Sequence, residues 1–279
     1  MARESSLARL PRRALLTLPL AVALALARPS VQAQTPAATA PPAAPAVALS
    51  IRTLGVFALL GESLQLVFPA DVTDTRLDRN LRETLPVKDI GFDQAALRAV
   101  REVMGRLQPA ATLQMYRATT PLTPAEQRDL ADGATRAELP DWIVKTIQSA
   151  GLSHLLLITR HRGEASFPLL NGFSIGRGNV EGVGYYVDST TEMKNLITGR
   201  PSTGFLGAYV MLRLLLVDAR SGDVVGSQDV RIGEVHAGRN DTEAANIWNA
   251  LDPREKVEVL RRMVEQSVTR VMPAVLSRG

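Results

Sequence analysis

The sequence predicts an α+β fold: a single mixed β-sheet with flanking helices and an inserted glycine-rich hairpin. Three observations carry this. Ser153 to Arg160 (SHLLLITR) is apolar enough to be a central strand buried on both faces. Ala208 to Asp218 (AYVMLRLLLVD) and Asp223 to Ile232 (DVVGSQDVRI), joined by Ala219-Arg220-Ser221-Gly222, read as a hairpin. A long amphipathic helix closes the chain. Asp252 caps it, Pro253 takes the first helical position and Glu255 completes a capping box. Val257, Leu260, Val264, Val268, Val271 and Val275 then recur at steps of three and four. That stripe needs a sheet to cover, and strands mixed with helices in this order argue for one sheet flanked by helices.

The remaining elements follow in chain order. Residues 1–33 read as a signal peptide: Arg3, Arg9, Arg12 and Arg13 make a basic start, and Ala14 to Ala27 is an uncharged run of 14 residues. Val31-Gln32-Ala33 supplies the small residues for cleavage after Ala33. A membrane-spanning helix needs about 20 apolar residues, and Arg28 ends this run too early. Arg12-Arg13 also fits a twin-arginine signal, so the export route stays open. Residues 34–50 begin QTPAATAPPAAPAV, have no face to bury, and read as a disordered tether. Residues 51–279 are then expected to form one domain, with an insert at 164–203.

Within the domain, Ile51 to Leu60 and Ser63 to Phe68 read as a strand hairpin turned by Gly61-Glu62. Asp71 to Asp89 is polar without periodicity and reads as a long loop. A helix from Asp93 to Leu107 would bury Leu97, Val100, Met104 and Leu107. Thr112 to Tyr116 is a short strand, and Thr123-Pro124-Ala125-Glu126 starts a helix with a capping signal. A further helix from Asp141 to Ala150 carries Trp142, Ile143 and Ile147 inward, and Gly151 ends it.

Composition removes several classes of function. The chain has 32 Lys+Arg against 28 Asp+Glu, but residues 1–33 hold five of the arginines and one glutamate, which leaves 27 of each sign beyond them. A balanced chain lacks the surplus that nucleic-acid binding draws on. There is no cysteine, so neither a disulfide nor a lipid-bearing cysteine is available. The three histidines, His154, His161 and His236, form no helical pair and no zinc-type pattern with a carboxylate. No cofactor motif and no metal site is expected; Gly176-Arg177-Gly178 lacks the third glycine and following helix of a phosphate loop.

Gly172-Phe173-Ser174-Ile175-Gly176 is a literal G-x-S-x-G, the nucleophile turn of serine hydrolases. Its context is wrong. Pro168 to Asn171 makes a poor buried strand, and Arg177-Gly178-Asn179 with Gly182 and Gly184 cannot start a good helix. Asn171-Gly172 favours a tight hairpin turn instead, so the expectation is no enzyme, with a serine hydrolase using Ser174 as the alternative. The insert as a whole reads as a protruding hairpin and mobile loop. Its Phe167, Leu169, Leu170, Phe173, Ile175, Tyr185 and Tyr186 form a candidate partner-binding surface. The competing reading is that these side chains fold back and complete the core.

The segment Leu212-Arg213-Leu214-Leu215-Leu216-Val217-Asp218-Ala219-Arg220-Ser221-Gly222-Asp223-Val224-Val225 resembles the strand, Val-Asp, Ser/Thr-Gly turn and Val-Val strand of the CsgG-like and TolB amino-terminal-like domains. Ala150-Gly151-Leu152-Ser153-His154-Leu155-Leu156-Leu157 is similar to the helix, glycine and apolar strand of the same families. The resemblance implies an α/β module that binds envelope components or self-assembles. The opening strands and the glycine-rich insert have no counterpart there, and no functional residue carries over. The expected function is that of an exported, periplasmic, non-enzymatic domain. It would act on a protein or envelope component, without nucleic acid and without a membrane anchor after cleavage.

Overall fold

The sheet is organised around its longest strand, β10 (Pro201–Asp218). In the computed structural model of the protein, residues 49–70, 80–87, 91–118, 122–130, 139–194, 201–237 and 247–277 are described. The expected signal peptide and the tether up to residue 48 lie outside them. Leu49 and Ser50, placed in the tether from sequence, belong to the domain. Leu49 is buried, its N–H donates to the Leu276 carbonyl (3.2 Å), and the Gln108 amide donates to its own carbonyl (2.8 Å).

One edge of β10 pairs with β11 (Val224–Ala237) over Phe205 to Val217. Along the other edge, Pro201 to Met211 runs against β9 (Asn179–Lys194) and Leu212 to Asp218 against β5 (His154–Arg160). Two branches grow from there. β5 pairs in parallel with β1 (Thr53–Ala58), which pairs in parallel with β4 (Thr112–Tyr116). β9 pairs in parallel with β2 (Ser63–Phe68), which pairs antiparallel with β3 (Leu81–Pro86). With β6 (Arg162–Glu164) beside β9, this makes one mixed nine-stranded sheet. The α+β class read from the sequence is what the chain adopts.

Two helices cover one face. They are α1 (Phe92–Leu107) and α4 (Pro253–Leu276), tied to each other by an Arg98–Glu265 ion pair at 3.1 Å. Beneath them lie Leu206, Ala208, Val210, Leu212, Leu214 and Leu216 of β10, with Leu156 and Ile158 of β5 and Val183 and Tyr185 of β9. The opposite face is covered in two halves. α2 (Pro124–Asp129) and α3 (Asp141–Ala150) lie over Phe57, Leu155, Leu157, Leu215 and Val217. A two-stranded ribbon, β7 (Phe167–Pro168) and β8 (Ser174–Ile175), lies over Val67, Val180, Tyr186, Phe205, Tyr209 and Met211.

Several sequence expectations give way here. β1 and β2 are not a hairpin: they enter different branches of the sheet. β1 is buried along nearly its whole length, and β2 buries Leu64, Leu66 and Val67, so each takes an interior position. The Arg160 guanidinium holds the connection by donating to the Leu60 carbonyl (2.9 Å from Nε) and to the Ser63 carbonyl (3.3 Å) and hydroxyl (3.0 Å). The expected loop at 71–89 contains β3, an edge strand whose polar side chains are exposed; residues 71–79 and 88–90 lie outside the described residues. The buried stripe of α1 is Phe92, Ala95, Ala96, Ala99, Val100, Val103 and Met104, while Leu107 is 50% exposed. The small alanine face lets the helix approach the sheet closely. α3, its Gly151 cap at φ 59°, and the Asp252–Glu255 capping box of α4 stand as read from the sequence.

Much of the insert at 164–203 is built into the sheet rather than protruding from it. Most of it is β9, an interior strand, and the rest is the β7–β8 ribbon laid on the sheet face; residues 195–200 lie outside the described residues.

Candidate functional site

The site grows out of how the ribbon is fastened. Phe167 is fully buried, with its ring 5.2 Å from Tyr186 and 5.6 Å from Phe205 between centroids. It sits on a floor of glycines: a Cβ on Gly207 would come 2.5 Å from its ring, and one on Gly233 2.8 Å. The return strand is pinned by backbone and side chains together. Ala165 N–H donates to the Gly178 carbonyl (2.8 Å), and Arg177 N–H donates to the Tyr186 hydroxyl (3.0 Å). Arg82 donates to the Asn179 carbonyl (3.0 Å) and Asn80 to the Arg177 carbonyl (2.7 Å). The turn is the expected tight one. Leu169 N–H donates to the Phe173 carbonyl (2.7 Å), Asn171 Oδ1 accepts from Phe173 N–H (3.1 Å), and Gly172 has φ 83°.

This fastening divides the seven candidate residues. Phe167, Tyr185 and Tyr186 are buried in the core and are removed from the candidate surface. Strand alternation sends Tyr185 and Tyr186 to opposite faces of β9, and both faces are covered. The Tyr185 hydroxyl donates to the Lys256 carbonyl at 2.8 Å, and burial pushes its pKa up. Leu169 and Ile175 are half-buried at the ribbon's flanks. Leu170 is 89% exposed and Phe173 72% exposed, together at the tip.

Beside the ribbon runs an open cleft of about 550 Å³. Ser166, Pro168 and Ser174 line it from the ribbon side, with Arg231 and Gly233 of β11, Arg270 of α4 and Glu164. Arg231 stands next to a charge cluster on β11. There Asp229 receives two hydrogen bonds from Arg213 (3.0 Å from Nη2 to Oδ2) and an ion pair from His161 (3.3 Å). Burial pushes the Asp229 pKa up. The Arg213 bonds and the charges of His161, Arg213 and Arg231 outweigh it and hold the carboxyl below the usual carboxylate range. Asp229 is thus occupied, and Arg231 reaches it only at 3.6 Å with its side chain 58% exposed. Nothing local in the sequence joins Glu164, Arg231 and Arg270; pairing of β11 with β10 and the docking of α4 bring them together.

Ser174 lies on this cleft, and no histidine lines it. Ser174 is in a two-residue strand followed by Gly176 at φ 121°, where a Cβ would meet the Ala165 carbonyl oxygen at 2.5 Å. His161 is engaged with Asp229, and His236 lies 3.6 Å from Glu234. His154 Nδ1 is 3.1 Å from Ser153 Oγ in a second cleft that Asp218 and Arg220 also line. That Ser153 hydroxyl donates to the Thr53 carbonyl (2.9 Å) and accepts from the Arg52 and Thr53 amides, joining β1 to β5. Asp218 accepts from Arg220 N–H (2.8 Å) and Ser221 N–H (2.9 Å) and shapes the turn into β11. Asp188 is only partly like Asp218, which ends its strand. It lies within β9 at a bulge, its carboxylate accepting from the amides and hydroxyls of Thr190 and Thr191. No group of three His, Cys, Asp or Glu that could hold a metal occurs among the described residues, and no described helix is long and apolar enough to cross a membrane.

No family model and no curated protein matches the chain. Among solved structures it is similar to a PelC dodecamer from Paraburkholderia phytofirmans (12% identity, TM-score 0.28, covering 84% of this chain and 94% of that one). It is also similar to a neuraminyllactose-binding hemagglutinin homolog from Helicobacter pylori (10%, 0.33, 80% and 81%). A lipoprotein from Neisseria meningitidis is a third (14%, 0.24, 77% and 96%). For the expected resemblance to CsgG-like and TolB amino-terminal-like domains, the comparisons give only the coarser result, a weak likeness to other bacterial proteins, a lipoprotein among them. All three TM-scores are below 0.5, and the site is read from its own residues.

Proposed function

We propose that this chain is an exported, periplasmic, non-enzymatic domain that binds a protein partner through the tip of the β7–β8 ribbon. One observation carries the reading: Leu170 and Phe173 are 89% and 72% exposed on a ribbon whose base, Phe167, is fully buried. Leaving two large apolar side chains in water costs free energy, and a turn that only joined β7 to β8 needs neither. Because the base is fixed, the tip presents them with little loss of conformational freedom on binding. The basic, apolar and small-residue segments of residues 1–33 support export, and the balanced charge beyond them fits a protein rather than a nucleic-acid partner. In this reading Ser174 is structural, one of the four residues of a ribbon.

The test is a photo-crosslinking amino acid placed at position 173 in cells, with position 258 of α4 as the exposed control. A discrete adduct from 173, none from 258, and its loss in Leu170→Asp are the expected outcome. Equal adducts from both positions, or an adduct that survives Leu170→Asp, overturn the reading. Fluorophosphonate labelling of the wild type but not of Ser174→Ala would establish the hydrolase instead.

A further inference from the structure

We infer that the cleft beside the ribbon takes an extended acidic peptide segment, laid along the outer edge of β11 as an added strand. This rests on the ribbon tip being a partner-binding surface and names the chemistry of what lies next to it.

Two features of the cleft point to this occupant. The first is the edge itself. Among the described residues β11 pairs only with β10, along Val224 to Ala237. The amide and carbonyl groups of its far edge therefore face outward in a row, which is the template for strand addition. Gly233 lines the cleft where the ribbon crosses β11, its side-chain position taken up by Phe167 and the Ser166 carbonyl. The second feature is charge. Arg231 and Arg270 line the cleft against a single carboxylate, Glu164. Arg270 has no hydrogen bond or ion pair among the described residues, and the neighbouring Asp229 is already taken by Arg213 and His161. The cleft therefore offers Arg270, and beside it Arg231, which also makes a 3.6 Å ion pair with Asp229 and lies 3.4 Å from His161 Nε2. A strand laid on β11 exposes alternate side chains to each side. Side chains on one side share the ribbon face with Arg231, Leu170 and Phe173, and those on the other meet Arg270 of α4, so an acidic side chain finds an arginine on either side and apolar ones on the ribbon side lie toward the tip.

The probe is a fluorescein-labelled peptide of alternating Glu and Val, about ten residues long to match a sheet strand, titrated into the full chain and read by fluorescence anisotropy. The expected result is binding that weakens with salt and falls about tenfold or more in Arg231→Glu/Arg270→Glu, as for loss of close charge pairs. The matching Lys-Val peptide should bind that double variant better than the wild type. Replacing alternate valines by proline removes strand N–H donors and should abolish binding. Equal binding of acidic and basic peptides, indifference to the arginine variants, or undiminished binding of the proline peptide each overturns the inference. So does a crosslinked dimer through β11. An adduct at position 173 without acidic-peptide binding sinks this inference alone. Peptide binding with no adduct at 173 sinks the ribbon reading on which it rests.

Discussion

The ring of Phe167 occupies the space that a side chain on Gly207 would need: a methyl there would come 2.5 Å from Phe167 Cε1 and 2.8 Å from Cδ1 and Cζ. The ring is enclosed by Tyr186 and Phe205 and cannot swing aside. Gly207→Ala should therefore lift the ribbon or distort β10, at about 1–3 kcal/mol for overpacking. Phe167→Ala should cost about 3–5 kcal/mol. Leu170→Ala and Phe173→Ala, at the exposed tip, should stay within about 0.5 kcal/mol of the wild type. Denaturant melts of the four variants check this. A costly Phe173→Ala would mean the tip is part of the core.

The connection between β1 and β2 rests on Asp93, whose Oδ1 accepts from Leu60 N–H (2.8 Å) and Gly61 N–H (3.3 Å). Burial pushes the Asp93 pKa up, opposed by these two bonds and by the charges of Arg160 and Arg117. Asp93→Ala leaves the Leu60 amide unsatisfied beside a buried side chain, at about 1–3 kcal/mol. Asp93→Asn keeps an oxygen acceptor and should lose less than Asp93→Ala. Equal losses in both would show that the charge, not the acceptor, holds the connection.

Asp252 accepts from Arg254 N–H and Glu255 N–H, both at 2.8 Å, while Glu255 accepts in return from Asp252 N–H at 3.0 Å. Asp252→Ala should cost about 0.5–2 kcal/mol. The loss should appear first as fraying of the leading turn of α4 in amide exchange. Unchanged protection at Arg254 and Glu255 would refute it.

What the sequence made legible was whatever is written locally. The β10–β11 hairpin is announced by a near-continuous apolar strand and the Asp218 turn, and α4 by a cap and a stripe. Long-range close approach has no such signature. Gly182 and Gly184 read as loop glycines, yet a Cβ on Gly184 would come 2.0 Å from the Gln65 carbonyl oxygen and one on Gly182 3.0 Å from Arg160 Cδ. They are there because β9 packs against β2 and Arg160, partners more than a hundred and about twenty residues away in sequence. The same blindness put Tyr185 and Tyr186 on a surface. For the site, the tip residues Leu170 and Phe173 were visible as apolar residues at a turn. The arginines of the cleft were not, because Arg231 and Arg270 come from elements that meet only in the fold.

Acidification supplies the last prediction, through His154 and His236. Burial pushes the pKa of each down from the ordinary histidine value; Asp218 opposes this at His154, and Glu234 opposes it at His236. The unfolded chain takes up a proton at each near pH 6.5, while the folded chain resists until a lower pH. Between those points the unfolded state holds more protons, so stability rises with pH. It is full above about pH 6.5 and is lost as the pH falls toward the folded values. Asp93 works in the opposite sense, since a carboxyl with a raised pKa favours the folded state on protonation. Asp218 and Asp229, both lowered, matter only as the pH falls below about 4. Thermal melts between about pH 7.5 and pH 5 should show a falling Tm, by a few degrees for each kcal/mol lost in a domain of this size. The variant His154→Gln/His236→Gln, which has no proton to take up at either position, should show a flatter profile over the same range. An unchanged slope in that variant would assign the acid sensitivity to other groups.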